Sequence, residues 1–281
     1  MMRLKFLPIF LFPLTLFGQR PISILENSIL LSNPAATTNY QFFSSTSYRV
    51  DLNNYKPLGS LYLSTYNKFA VKKFQFGLGG QTQLNKGFRS YYMNFDVNYT
   101  IPISRMLSLA VGAGADFHQY GLYNSTPEPV VSNFITRLNA GFMFVGYNWR
   151  AGFSTNNINQ ARFYWFNDTI SSKVNLQLYG EYRFKINENW RLTPLAFIGT
   201  KLSNSSVGLS AYYKQLQFGT TFSTNAIYGI VGYTFKEKYV VGIAYNYNHQ
   251  EFGNLQNLNV NFSFIIPKKK VIRFIGGTPS F

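Results

Sequence analysis

Few residues in this chain can move a proton or hold a metal: two histidines, His118 and His249, and ten carboxylates. In "GADFHQY", Asp116 and His118 stand two positions apart, and Asp96 precedes them in "MNFDVNYT". A carboxylate that orients an imidazole beside a hydroxyl would give a hydrolase its base and nucleophile. No positioned nucleophile accompanies them, and Asp–His at this spacing equally fits a polar network with no catalytic task. The other carboxylates are scattered, without the spacing of a zinc or calcium site. "GLGG", residues 77–80, has the small residues of a phosphate loop but no helix to follow it. Cysteine is absent, which removes thiol catalysis, disulfides and thiolate ligands. The expectation is no catalytic residue, no cofactor and no metal: not an enzyme.

A spacing of two places side chains on one face of a strand, and this periodicity runs through the chain. In "NLNVNFSFIIPKKK", residues 257–270, Asn257, Asn259, Asn261 and Ser263 alternate with Leu258, Val260, Phe262 and Phe264. In 239–248, Tyr239, Val241, Ile243, Tyr245 and Tyr247 oppose Val240, Gly242, Ala244, Asn246 and Asn248. In 174–185, Leu176, Leu178, Tyr182 and Phe184 oppose Gln177, Tyr179, Glu181, Arg183 and Lys185. Each wet face is built from small or hydrogen-bonding residues. Such a face suits the lumen of a closed barrel whose other face meets lipid.

Composition agrees. The chain is 46% hydrophobic and 19% aromatic but only 13% charged, against about 25% charged in a typical soluble domain. No stretch after the N-terminus approaches the roughly 20 apolar residues of a membrane helix. A soluble β-sandwich or a periplasmic β-protein is the alternative. Segments are predicted near 40–50, 58–67, 72–84, 89–100, 106–119, 134–146, 149–156, 173–186, 190–202, 206–215, 216–225, 227–236, 238–249 and 256–266. That makes an all-β, transmembrane, antiparallel outer-membrane β-barrel of about 14 strands, an even count that leaves both termini periplasmic. Tight links ("IPIS", "YNW", "NEN", "KQ", "KEK") alternate with a set holding the long links 121–133 and 157–172. Short periplasmic turns and longer outer loops are what a barrel requires; a sandwich has no reason to segregate them.

The N-terminus reads as an export signal. Arg3 and Lys5 precede an apolar run to Phe17, with cleavage expected near Gly18. The expected organisation is a signal peptide, 1–18; a periplasmic N-terminal segment, 19–39; the barrel, 40–266; and a periplasmic tail, 267–281. Without a lipobox cysteine no lipid anchor is expected. A net charge of +16 on an exported chain points to anionic lipid, lipopolysaccharide phosphates or an acidic polypeptide, not to nucleic acid. The "KKK" of 268–270 also fits a plain strand-end flank.

The residues expected to line the lumen are Asp96, Asp116, His118, Glu181, Arg183, Lys185, Asn246, Asn259 and Asn261. Their charges, with Arg137, would pair internally or line a water path. The residues expected to meet a partner lie in the outer loops: Arg162, Phe163, Tyr164, Trp165, Phe166 and Tyr123. Four consecutive aromatics in a loop would contact a protein, dip into the membrane interface, or pack into the barrel mouth.

The order of several motifs resembles the PorP/SprF family. "ILLSNPAATTNY", 29–40, is similar to the family's "NPA" segment, and "SYRVDL" follows it. The block 74–120 resembles the family's best-preserved part, with a glycine-bearing strand, an "NxxG" turn, a Tyr-rich strand, a proline turn and "LSLAVGAG". "GYNWRAGFSTNNIN" and "YGEYRFKINENWRLTPLAFI" are similar to its middle section. Thr37 and Thr38 stand where the family usually has glycine, and the ending "PSF" is a loose match. The resemblance implies an outer-membrane barrel of type IX secretion and gliding motility. Its partners would be secretion components, or a large adhesin received through its C-terminal domain and anchored at the surface. Some relatives tie the machine to peptidoglycan, but no appended peptidoglycan-binding domain is seen, which favours the adhesin role. The alternative function is a passive porin or solute channel.

Overall fold

The period-two alternation becomes a continuous wall. The computed structural model describes residues 30, 32–38, 40–53, 56–85, 88–122, 130–165, 168–171, 173–200, 205–223, 226–236, 238–248 and 256–267. The first nine strands are β1 (Tyr40–Asn53), β2 (Lys56–Val71), β3 (Phe74–Asn85), β4 (Phe88–Pro102), β5 (Leu107–Leu122), β6 (Val130–Val131), β7 (Ile135–Gly146), β8 (Trp149–Asn156) and β9 (Arg162–Trp165). The rest are β10 (Asp168–Ser171), β11 (Asn175–Tyr182), β12 (Phe184–Lys185), β13 (Trp190–Gly199), β14 (Ser206–Tyr213), β15 (Leu216–Phe222), β16 (Ala226–Phe235), β17 (Tyr239–Asn248) and β18 (Gln256–Pro267).

Neighbours pair antiparallel around the ring, and β1 closes on β18 with Ser45 opposite Ser263. On the far side β11 pairs with both β8 and β13, and β12 continues its line against β13. Among the described residues this makes a closed barrel of 14 staves. Each predicted segment coincides with a stave, although β2 and β5 run to 16 residues, longer than the alternation suggested. Closure leaves the barrel no sheet edge, which hydrocarbon would not tolerate. Two short pieces stand outside the ring. The β6 strand adds to the end of β5, and β9 pairs with β10 as a separate hairpin inside the predicted outer loop 157–172.

The two faces sort by chemistry. Leu258, Val260 and Phe262 are exposed on the outside, while Asn257, Asn259, Asn261 and Ser263 are buried within. Likewise Leu176, Leu178, Tyr182 and Phe184 face out, and Gln177, Tyr179 and Glu181 face in. No helix among the described residues is long and apolar enough to cross a membrane; the strands do the crossing.

The interior holds more than its own lining. The sequence reading assigns 19–39 to the periplasmic side, but Leu30 and residues 32–38 lie inside the barrel, nearly all of them buried. Leu30, Ala35 and Ala36 pack with Phe43, Tyr66, Ala110, Met143, Tyr179 and Ile265, which come from six different staves. The physical reason is that a lumen this wide cannot be filled from the wall alone. A segment of chain fills it, provided its backbone finds hydrogen bonds there.

Candidate functional site

Those hydrogen bonds come from wall side chains aimed inward. The Gln75 amide clamps Thr38: its Oε1 accepts from the Thr38 N–H at 2.9 Å and its Nε2 donates to the Thr38 carbonyl at 3.0 Å. Asn98 Nδ2 donates to the carbonyls of Pro34 and Ala36 at 3.2 and 3.1 Å. Ser154 Oγ donates to the Ser32 carbonyl at 3.2 Å. Buried backbone groups that would otherwise be orphaned are thereby satisfied.

The "NPA" motif shapes the inserted segment. Asn33 Oδ1 accepts from the Ala35 N–H at 2.9 Å, and the Asn33 carbonyl accepts from the Ala36 N–H at 2.9 Å. This is an Asx-turn laid over a β-turn, with Pro34 fixing the second position. Asn33 Nδ2 points the other way, 3.3 Å from the Phe153 carbonyl and 3.5 Å from that of Phe142. Glycines make room for it. A Cβ at Gly112 would strike the backbone of Pro34, and one at Gly141 would strike the Asn33 amide. The small inward residues of β5 and β7 are thus a seat for a turn of the same chain.

Charges in the interior are paired. Lys68, with no exposed surface, places Nζ 2.8 Å from Asp96 Oδ1, and Tyr66 Oη donates to Asp96 Oδ2 at 2.8 Å. Glu181 takes Arg150 Nε at 2.6 Å and an Arg183 amino group at 2.9 Å, and accepts the Tyr179 hydroxyl as well. Tyr92 Oη donates to Asp116 Oδ1 at 3.1 Å, and the His118 ring lies 4.6 Å from the Tyr92 ring. Arg137 stands directly opposite Asp116 on β7. This places two predicted lumen acids in separate clusters: Asp96 with Lys68, Asp116 with Tyr92. A small polar cavity lies between them, bounded by Leu30, Ser32, Pro34, Asn94, Gly114, Asn139 and Asn156, with room for about one water. The Lys68–Asp96–Tyr66 and Glu181–Arg150–Arg183–Tyr179 groups satisfy one another, while Asn94 Oδ1 and Asn156 Nδ2, on the cavity wall, are buried with no hydrogen-bond partner among the described residues.

The remaining predicted residues fall as follows. Asn246, Asn259 and Asn261 are buried in the interior; Asn261 Nδ2 donates to Ser45 Oγ at 3.1 Å, and Ser263 Oγ joins them. Arg183 is half-buried, whereas Lys185 is exposed near the β12 end, at the tight-turn end of its stave. Arg162 is exposed at the start of β9. Phe163, Tyr164 and Trp165 continue β9 in the separate hairpin. Phe166, Tyr123 and His249 lie outside the described residues. Sequence reasoning missed Lys68, Tyr66, Gln75, Asn98, Asn33 and Arg150. Alternation alone would have turned Tyr66 and Lys68 inward together; what it lacked was the register that brings Asp96 to them.

Known proteins bear on this architecture in two ways. The family model described as "Type IX secretion system membrane protein PorP/SprF" matches residues 22–266. No curated protein sequence matches the chain significantly. Among solved structures, the P. putida toluene transporter TodX is similar at 11% identity, covering 86% of this chain and 95% of that one, with a TM-score of 0.54. The CymD monoaromatic hydrocarbon channel is similar at 10% identity, covering 91% and 95%, also at 0.54. A Pseudomonas aeruginosa FadL homologue is similar at 11% identity, covering 89% and 95%, at 0.50. Identities this low carry the fold: an outer-membrane barrel.

Proposed function

The chain belongs to the PorP/SprF family of type IX secretion system membrane proteins of the bacterial outer membrane, and on that premise we propose that it is a non-enzymatic docking barrel for a large secreted adhesin. The adhesin's C-terminal domain is received at the barrel's outer side, helping secretion or surface anchoring in the service of gliding motility. A signal peptide at 1–18 delivers the chain, and a periplasmic start and end suit a barrel whose β1 begins and β18 ends at the side of the tight turns. The basic surplus of +16 suits lipopolysaccharide phosphates and an acidic partner.

The observation that carries this reading is the occupied interior. A passive porin keeps a water-filled lumen; here the chain's own Ser32–Thr38 segment is bound in it by Gln75, Asn98 and Ser154. A barrel filled by its own chain has its surfaces, more than its bore, to offer a partner.

The test is a mild-detergent pull-down of the tagged protein from its native outer membrane, followed by mass spectrometry. Recovery of a large secreted protein that is lost when residues 162–171 are replaced by a short glycine-serine link supports docking. A barrel that emerges alone, and conducts ions in a planar bilayer, replaces docking with the porin.

A further inference from the structure

The lipid-facing surface is not uniformly apolar. On β1 and β2, Ser44 pairs with Asn67 and Thr46 with Thr65; on β2 and β3, Thr65 pairs with Gly80 and Leu63 with Thr82. Their neighbours Phe43, Ser45, Tyr66, Lys68, Gln75 and Gly79 are buried within, so Ser44, Thr46, Thr65, Asn67, Gly80 and Thr82 point outward. They form one contiguous polar island across three staves. Exposed Leu63 and Tyr91 flank Thr82 in its own row, Tyr48 and Leu84 lie beyond towards the outer-loop end, Phe69 and Phe74 towards the tight-turn end, and Phe262 and Phe95 on either side. The island is therefore at mid-membrane depth. Elsewhere on the outer face Thr155 lies opposite Ala140 and Leu176, and Thr220 opposite Leu209 and Gly229, while Gln119 and Thr136 stand near the outer-loop ends of their staves.

None of the five polar side chains makes a hydrogen bond within the described structure. Hydrocarbon offers them none, and leaving an amide or hydroxyl unsatisfied there is unfavourable. Gly80 at the centre adds a second observation. A Cβ there would meet nothing nearer than 3.8 Å, whereas at Gly77 or Gly79 it would collide with Asp96 or Asn94 inside. Packing within the chain does not require glycine at 80. Its bareness leaves a shallow seat between Thr65 and Met93.

Between transmembrane helices, small residues with Ser, Thr and Asn mark the faces that meet, and the same cost of unsatisfied polar groups in hydrocarbon acts on a strand face. We infer that the outer face of β1–β3 is an interface within the membrane and that its occupant is a second copy of this chain. The patch carries no charge, so it does not select a partner of opposite sign. Every polar group in it both donates and accepts. A two-fold axis along the membrane normal keeps both copies in the same orientation and brings each row to the same row at equal depth. A two-fold interface needs such self-complementarity. With the axis near Thr65, hydroxyl meets hydroxyl, and each Gly80 receives a side chain of the other copy.

The chain has no cysteine, so single-cysteine variants report contacts cleanly. Thr65→Cys and, on the outer face of β15, Thr220→Cys are oxidised in intact outer membranes and separated by mass without reductant. Heat-modifiable gel mobility establishes that each variant forms its barrel. Thr65→Cys is expected to give a band at twice the monomer mass, Thr220→Cys to stay monomeric, and adding Asn67→Leu to Thr65→Cys to lower the dimer yield several-fold. The inference is overturned if Thr65→Cys cross-links no more than Thr220→Cys, if its adduct has the mass of a different protein, or if Asn67→Leu leaves the yield unchanged.

Discussion

Lys68 Nζ lies 2.8 Å from Asp96 Oδ1 although the two residues sit on staves that are not neighbours in the sheet. Lys68 pairs with Gly77, and Gly77 pairs with Asp96, so the ammonium reaches across β3 over a residue without a side chain. A Cβ at Gly77 would collide with the Asp96 carboxylate and the Tyr66 hydroxyl. Three residues of different types thus form one buried unit.

Removing one charge from that unit leaves the other buried and unpaired. Lys68→Met is expected to lower stability by about 3–5 kcal/mol, and the Lys68→Met/Asp96→Asn double variant to recover most of it. Denaturant unfolding in detergent measures both. A double variant no better than the single one would mean that shape, not charge, dominates.

Glu181 neutralises two arginines at once. Glu181→Gln is expected to destabilise the barrel by an amount similar to Lys68→Met, since Arg150 is nearly buried against it. Arg183→Ala should cost no more than about 1 kcal/mol, because the Arg183 side chain is 39% exposed. The same unfolding assay ranks the two variants, and an equal loss would contradict the ranking.

The inserted segment keeps its place in the lumen only while its seat is bare. Gly112→Val places a branched side chain where the Pro34 backbone lies, and should expel the turn while leaving the wall intact. Ion conductance in planar bilayers is expected to rise well above wild type, and deletion of residues 30–38 to do the same. Heat-modifiable mobility checks that the barrel persists. Unchanged conductance in both variants would show that the segment is not what blocks the pore.

The outer face tests the lipid contact itself. Phe262→Arg, exposed midway along β18, is expected to cost about 2–4 kcal/mol of folding into vesicles. Lys185, exposed near a strand end, should tolerate exchange for Glu within about 0.5 kcal/mol. Comparable losses at both positions would argue against a bilayer around the belt.

The pattern of residues by itself determined the barrel. Strand side chains alternate with a period of two, so "NLNVNFSF" carries its inner and outer faces in its spelling, and 14 such stretches define 14 staves. Turn chemistry separated them, and the alternation turned Asp96, Asp116, Glu181 and Asn261 inward without any coordinates. It could not say which inward residues meet, because that depends on the register between strands and on closure of the ring. Asp96 found Lys68 through Gly77, a partner 28 positions away that no spacing rule names. The fate of the "NPA" segment was equally hidden. The sequence reading leaves Asn33, Pro34 and Ala35 in the periplasmic segment 19–39, and an Asn-Pro turn is polar enough to sit in water. Only the closed wall, with Gln75, Asn98 and Ser154 aimed at its backbone and Gly112 and Gly141 leaving it space, makes the lumen the better place. Local alternation is set by stereochemistry along one strand. Occupancy of the lumen is set by the volume and unsatisfied hydrogen bonds of all the strands together, and these come into being only when the ring closes.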